Sequence, residues 1–270
     1  MKALKFSCDG TGSVTAEELP LRLPHASGVI DPEPFRARAR GEGPALPEAF
    51  APSAGVRTIF VDPANPCPLF GVDDRLLTFV ISGQVAVTTG NEEILFRRGD
   101  LFLVDNGQIL EPMFETSADC RLIQIFVGAD WPGNRARIAK ADSAVKRVEQ
   151  SSNFKRMYRG ADDKSYFKPF DSLFGPVGEW SIVTPLVGFR FIRMAADTFI
   201  DWHPEVVNNF VIVMSGGLQL EVGGGAGAVE IFRPGDICLA EDRTGEGHID
   251  RVHGEVLVAI LIVEDEHLWP

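Results

Sequence analysis

The chain has 270 residues, 45% of them hydrophobic, enough for one large core or two modest ones. A formal net charge of −12 argues against a nucleic-acid or anionic-membrane partner. The start, Met1 to Asp9, lacks an apolar core of signal-peptide length, and the longest apolar run, Val256 to Val263, is too short to span a bilayer.

The predicted elements begin after a stretch rich in Pro and Gly. Residues 1–50 carry Pro20, Pro24, Pro32, Pro34, Pro44 and Pro47, and read as an extension that wraps an edge of the first β unit. Residues 51–130 hold short apolar runs broken by turns. Leu76 to Ile81 ends at Ser82-Gly83, Val85-Ala86-Val87 ends at Thr89-Gly90-Asn91, and Glu93 to Phe96 leads into Arg98-Gly99-Asp100. Arg121 to Val127 closes this unit. Residues 131–180 change character and read as a linker, with Ile138, Ala141, Val145 and Val148 at helical spacing within Ala136 to Gln150. Residues 181–270 repeat the strand pattern: Phe210 to Met214, Leu218 to Val222, Val229 to Phe232 and Val256 to Val263. Four widely spaced cysteines, Cys8, Cys67, Cys120 and Cys238, form no Cys-x-x-Cys pair and read as reduced thiols of a cytoplasmic protein.

The second β unit is a copy of the first. Gly55 to Gly90 aligns without a gap to Gly188 to Gly223, pairing Arg57 with Arg190 and Ser82-Gly83 with Ser215-Gly216. After a short insertion, Phe96 to Asp100 matches Phe232 to Asp236. Features shared by both copies are what the fold needs, which makes a structural role the better reading for Arg57 and Arg190. Features confined to one copy are candidates for function. His203 and Glu205 stand where the first copy has Phe70 and Val72, and His248 has no histidine counterpart near Glu111-Pro112-Met113.

The repeated unit resembles a cupin. The resemblance rests on a strand ending in Ser215-Gly216, preceded by His203, Glu205 and Asn209 at motif-like spacing, and on Gly235-Asp236 followed by His248. The frame is kept while its content is altered. Glu205 occupies the second histidine position, Asn209 the usual Glu position, and Glu241 the usual proline, and His248 comes two residues late. The first copy keeps only Gly83, Gly99 and Asp100. The resemblance implies an all-β chain of two tandem cupin-type (double-stranded β-helix or jelly-roll) barrels joined by a short helical linker. Such an arrangement would be a bicupin, with the N-terminal barrel expected to lack metal ligands.

The candidate metal ligands are His203, Glu205 and His248, with Asn209 as a weaker oxygen donor. His203 and Glu205 are two residues apart, which on a strand sends both side chains to one face. Two imidazoles and a carboxylate suit iron(II), and manganese, nickel, cobalt or zinc equally well. Glu205 is also the candidate base, because burial raises a carboxyl pKa. Arg243 and Arg251 flank His248 and are the candidates for holding a substrate carboxylate. The implied activity is that of a metal-dependent oxygenase, isomerase or lyase acting on a small anionic molecule. A metal-free binding pocket and a structural or storage-type bicupin remain open alternatives, as does a homodimer formed through barrel edges.

Overall fold

A computed structural model describes residues 1–8, 14–19, 21, 24–42, 51, 53–64, 75–89, 92–105, 114–117, 119–128, 131 and 152–264. Among these the elements run, in chain order, β1 (Ala3–Cys8), β2 (Val14–Glu18), β3 (His25–Ala26), β4 (Val29–Ile30), α1 (Glu33–Ala39), β5 (Ser53–Phe60), β6 (Leu76–Ser82) and β7 (Gln84–Thr89). There follow β8 (Glu92–Arg97), β9 (Leu101–Val104), β10 (Phe114–Thr116), β11 (Arg121–Val127), β12 (Phe154–Arg159) and β13 (Ser165–Pro169). The last six are β14 (Leu186–Met194), β15 (Phe199–His203), β16 (Asn209–Val222), β17 (Val229–Phe232), β18 (Ile237–Glu241) and β19 (His248–Val263). The chain forms two compact units. One comprises Met1–Arg22, Pro52–Ser152 and Ser172–Pro185; the other comprises Leu23–Ala51, Asn153–Asp171 and Leu186–Pro270.

In the C-terminal unit two long strands are bent into halves. The ladder between β16 and β19 shifts register from Ser215 to Gly217. Gly216 sits there at φ 77°, and a Cβ on it would collide with the backbone carbonyl of Glu255. The first half of β16 and the second half of β19 form a sheet ordered β18–β16–β19–β14. The other halves form a sheet ordered β17–β16–β19–β15. With each half counted as a strand, the orders are 6-3-8-1 and 5-4-7-2, which is the jelly-roll arrangement. One core joins the two sheets: Val211, Val213 and Val258 from the first meet Leu220, Phe232 and Val252 from the second.

The N-terminal unit follows the same plan. Its sheets run β9–β6–β11–β5 and β8–β7–β10, giving 6-3-8-1 and 5-4-7. Residues 65–74, between β5 and β6, lie outside the described residues. Phe102, Leu76 and Leu122 pack against Val85, Val87 and Phe96 in its core. The fold is thus all-β, with two tandem jelly-roll barrels.

The duplication extends further than the sequence alignment. In each unit a hairpin, β1–β2 or β12–β13, adds in parallel to the edge strand β9 or β18. The matching turn is clamped identically. Asp100 accepts hydrogen bonds from the backbone N–H groups of Lys2 (2.6 Å) and Arg97 (3.0 Å), and Asp236 accepts them from Asn153 (2.7 Å) and Arg233 (2.6 Å). Lys5 pairs with Asp105 at 2.8 Å, and Arg156 pairs with Glu241 at the equivalent rung.

The first fifty residues do not act as one extension. Residues 1–22 belong to the N-terminal unit, whereas β3 pairs with β14, β4 pairs with β15 and α1 lies beside β15, all in the C-terminal unit. Edge strands β14 and β15 present backbone groups that need partners, and these two-residue strands supply some of them. The stretch 131–180, read as a linker, contributes the hairpin β12–β13; the helix expected over Ala136–Gln150 lies outside the described residues. Among the described residues Cys120 and Cys238 are free and buried, and no helix is long and apolar enough to cross a membrane.

Candidate metal centre in the C-terminal barrel

Strand alternation places one row of side chains from each strand inside the barrel. The rows read Arg190-Ile192-Met194 on β14, Asn209-Val211-Val213 on β16, Cys238-Ala240 on β18 with Asp242 just beyond, and His248-Asp250-Val252 on β19. Each row is apolar deep in the core and turns polar toward the same end. In the N-terminal barrel the rungs equivalent to Asn209 and Cys238 carry Leu76 and Phe102, both fully buried. The counterparts of His203, Glu205 and His248 in that barrel lie outside the described residues.

At this polar end His203, the last residue of β15, is paired across the ladder with His248, the first residue of β19. Their rings are 4.4 Å apart. The close approach depends on Gly247, at φ 79°, where a Cβ would strike the backbone carbonyl of His203. Both imidazoles are oriented from behind. Nδ1 of His203 donates to the carbonyl of Asp201 at 2.9 Å, and Nδ1 of His248 donates to Asp242 Oδ2 at 2.9 Å. Asp242 Oδ2 also accepts from the Ser165 hydroxyl at 2.7 Å. With Nδ1 held as donor, Nε2 of each ring is left for an acceptor or, once deprotonated, for an ion. Around Nε2 of His248 stand Asp250 Oδ1 at 3.4 Å and Glu205 Oε1 at 4.0 Å. The ligand atoms of His203, His248 and Asp250 all lie within 4.8 Å of one another.

The field here favours positive charge. Burial alone would lower the His248 pKa, but Asp242, Asp250 and Glu205 outweigh it and raise it to about 10. Burial, with His248 as a positive neighbour, pushes His203 down to about 3. Burial also raises Glu205 to about 7 and lifts Asp250 above the usual carboxylate range. Three carboxylates therefore crowd a buried pocket, and Oδ1 of Asp250, Asp242 and Asn209 is each buried without a hydrogen bond.

The structure brings His203, Glu205, His248 and Asn209 to one end of the barrel. Glu205 is not on the strand with His203. Pro204 ends β15, and the Glu205 backbone N–H turns back to the carbonyl of Asp242 at 3.3 Å. Asn209 Nδ2 donates to the carbonyl of Val207 at 3.1 Å, which leaves its Oδ1 as the orphan. Arg251 lies on the outward face of β19, paired with Glu221 and stacked over Phe199, so it does not reach the interior. Arg243 stands in the loop after β18, half-buried. His253 is exposed and meets Gln219 at 2.7 Å. Asp250, Asp242 and Phe35, whose ring is 4.8 Å from His203, complete the site.

No protein-family description matches the chain, and no curated protein does. Solved structures that superpose on it include a cupin 2 conserved barrel domain protein from Leptotrichia buccalis, with 10% identity, 79% of this chain and 80% of that chain covered, and a TM-score of 0.34. A protein of unknown function from Pseudomonas syringae pv. tomato aligns at 12% identity over 97% and 100% of the two chains, with a TM-score of 0.34. The oxalate decarboxylase of Lactobacillus farciminis aligns at 13% identity over 78% and 74%, with a TM-score of 0.27. Likeness this distant carries no weight for fold or chemistry. The strand pairing and the side chains above carry both.

The donor set fits a divalent transition ion. It offers two nitrogen donors with anchored rings and a carboxylate oxygen whose hydrogen-bonding capacity is unspent. The 3.4 Å between His248 Nε2 and Asp250 Oδ1 is in the range spanned by two ligands bonded at about 2.1 Å to one ion. Glu205 and Asn209 are at hand as further oxygen donors. The set does not select among iron, manganese, nickel, cobalt and zinc.

Proposed function

We propose that the chain is a bicupin whose C-terminal barrel holds a divalent metal at His203, His248 and Asp250, assisted by Glu205, and acts there on a small anionic organic molecule. One observation carries this reading: both imidazoles are fixed through Nδ1, by Asp201 and Asp242, so that both Nε2 atoms and an orphaned Asp250 oxygen converge. Histidines that merely fill a core need no such matched orientation.

A bound ion would supply Lewis acidity, or oxygen activation if redox-active. The protein's own residues do the rest. Asp242, steadied by Ser165, holds His248 in one tautomer. Without an ion, burial holds the Glu205 carboxyl up at about 7, where it can take up or release a proton near neutrality. Phe35 packs against His203, limiting water on that flank. The acidic chain leaves nucleic acid and anionic membranes outside this reading, whereas pairing of two copies through barrel edges is compatible with it.

Elemental analysis after metal loading and dialysis tests the proposal. About one equivalent per chain is expected, lost in His203→Ala and His248→Ala; a chain that takes up none overturns it. A metal-free binding site has one observation in its favour, the raised pKa of Glu205, which serves proton exchange without an ion. Ligand binding that survives His203→Ala and chelator treatment would favour that second reading.

A further inference from the structure

We propose that α1 is a cap, carried on an insertion that serves the C-terminal site: Phe35 covers His203, and Arg36 latches the strand end on which His203 stands. The proposal deepens the reading of this cluster as a functional site and rests on it.

Each barrel receives a strap along the same edge strand. In the N-terminal unit Val177 pairs in parallel with Phe60 on β5, and Thr184 pairs antiparallel with Val56. In the C-terminal unit His25 pairs in parallel with Arg193 on β14, and Ala51 pairs antiparallel with Phe189. The alignment of the two copies matches Phe60 with Arg193 and Val56 with Phe189, so the two straps share both anchor points. Thr184 and Val56 exchange two backbone hydrogen bonds of 2.8 Å, and Ala51 and Phe189 exchange two of 2.8 and 3.0 Å. Between the anchors the straps differ. Residues 178–183 suffice in the N-terminal unit, whereas residues 26–50 intervene in the C-terminal one. The surplus contains β4 and α1. Covering an edge strand does not require it, because the shorter strap does that, and it lies on the barrel that holds the histidine pair.

Within the surplus, α1 is built as one body. The Asp31 carboxylate accepts the N–H of Glu33 at 3.0 Å, and Arg40 pairs with Glu33 at 2.6 Å and with Glu42 at 3.1 Å. Gly41, at φ 77°, ends the helix by donating to the carbonyl of Arg38 at 2.8 Å. None of the helix residues is fully buried. Arg36 donates from Nε (2.9 Å) and Nη2 (2.6 Å) to the carbonyl of Trp202, and the Phe35 ring lies 4.8 Å from that of His203. His203 is only 2% exposed although it ends its strand. A self-contained helix with no buried residue parts from the barrel at far lower cost than a core strand does. Seated, it shields the imidazole; lifted, it admits an ion or a small ligand.

Modification of the metal-free full chain by diethyl pyrocarbonate tests this, with His203 and the exposed His253 followed separately by peptide mass mapping. In the unsubstituted chain His203 should react far more slowly than His253. Phe35→Ala and Arg36→Gln should each speed His203 by about tenfold and leave His253 unchanged. Arg36→Lys, which keeps a donor for the Trp202 carbonyl, should fall between. The buried thiol of Cys238, probed with iodoacetamide, reports on the barrel core and should stay unreactive in every variant. Equal His203 rates in the unsubstituted chain and both variants overturn the cap. So does a variant in which Cys238 becomes reactive together with His203, since α1 would then hold the barrel together instead of covering its site. Loading the same chains with Co²⁺ separates the two proposals. A chain that takes up no Co²⁺ yet shows the His203 acceleration keeps the cap and sinks the metal centre; one that retains Co²⁺ without the acceleration keeps the metal centre and loses the cap.

Discussion

Asp242 has no freedom to be an incidental loop carboxylate. It is fully buried, bonded to His248 and to Ser165, and set between β18 and the loop that returns to β19. Its substitution by Asn keeps the shape but removes the charge that orients and enriches the imidazole, and metal affinity should fall by about 10- to 100-fold, read by competition with a chromophoric chelator. Gly247→Ala should perturb the site by another route. The added methyl meets the His203 backbone carbonyl at a positive φ, so the loop must move away from the histidine. Lower metal occupancy with a lower melting temperature is the expected outcome. The sequence made His203 and His248 legible because the first copy lacks them. It also held the signal for Asp250: His248-Ile249-Asp250 obeys the same i, i+2 rule applied to His203 and Glu205, and that rule puts Arg251 outside.

At the scale of elements, the two aspartates after the conserved turns do the same work in both units. Asp100→Ala and Asp236→Ala each strand two backbone N–H groups, at a cost of about 1–3 kcal/mol per donor left unsatisfied. Each should lower the unfolding midpoint of its own unit in denaturant titration. The ion pair at the neighbouring rung gives a pH dependence. Burial alone would raise the Asp105 pKa, but Lys5 and Arg75 outweigh it, and the carboxyl titrates below its usual range. A depressed carboxyl stabilises the fold above its unfolded pKa and loses that contribution as pH falls through the folded value. Stability of the N-terminal unit should therefore decline below about pH 4, and Asp105→Asn should flatten that part of the profile in thermal melts. The barrel strands were legible as short apolar runs between glycine turns. The hairpins β1–β2 and β12–β13 were not, because Leu4, Lys5 and Phe6 share little with Lys155, Arg156 and Met157 beyond the pairing geometry.

Across the whole chain, one ancestral plan serves two purposes. In the N-terminal barrel the inward positions are closed by Leu76, Phe102 and the Arg57–Gln124–Thr78 chain of hydrogen bonds. Gln124→Leu there should cost stability by leaving Arg57 without its amide acceptor, and should leave metal content unchanged. In the C-terminal barrel the equivalent rungs carry Asn209, Cys238, Arg190, Ile260 and Val211, and the polar end of that barrel holds a cluster of His, Asp and Glu side chains with unspent hydrogen-bonding capacity. On the proposed reading this cluster holds a metal. Its most direct measurement is metal stoichiometry after loading with Co²⁺ or Mn²⁺ and exhaustive dialysis, comparing the unsubstituted chain with His248→Ala. The predicted result is about one ion per chain, absent from the variant; equal retention in both, or none in either, would contradict it.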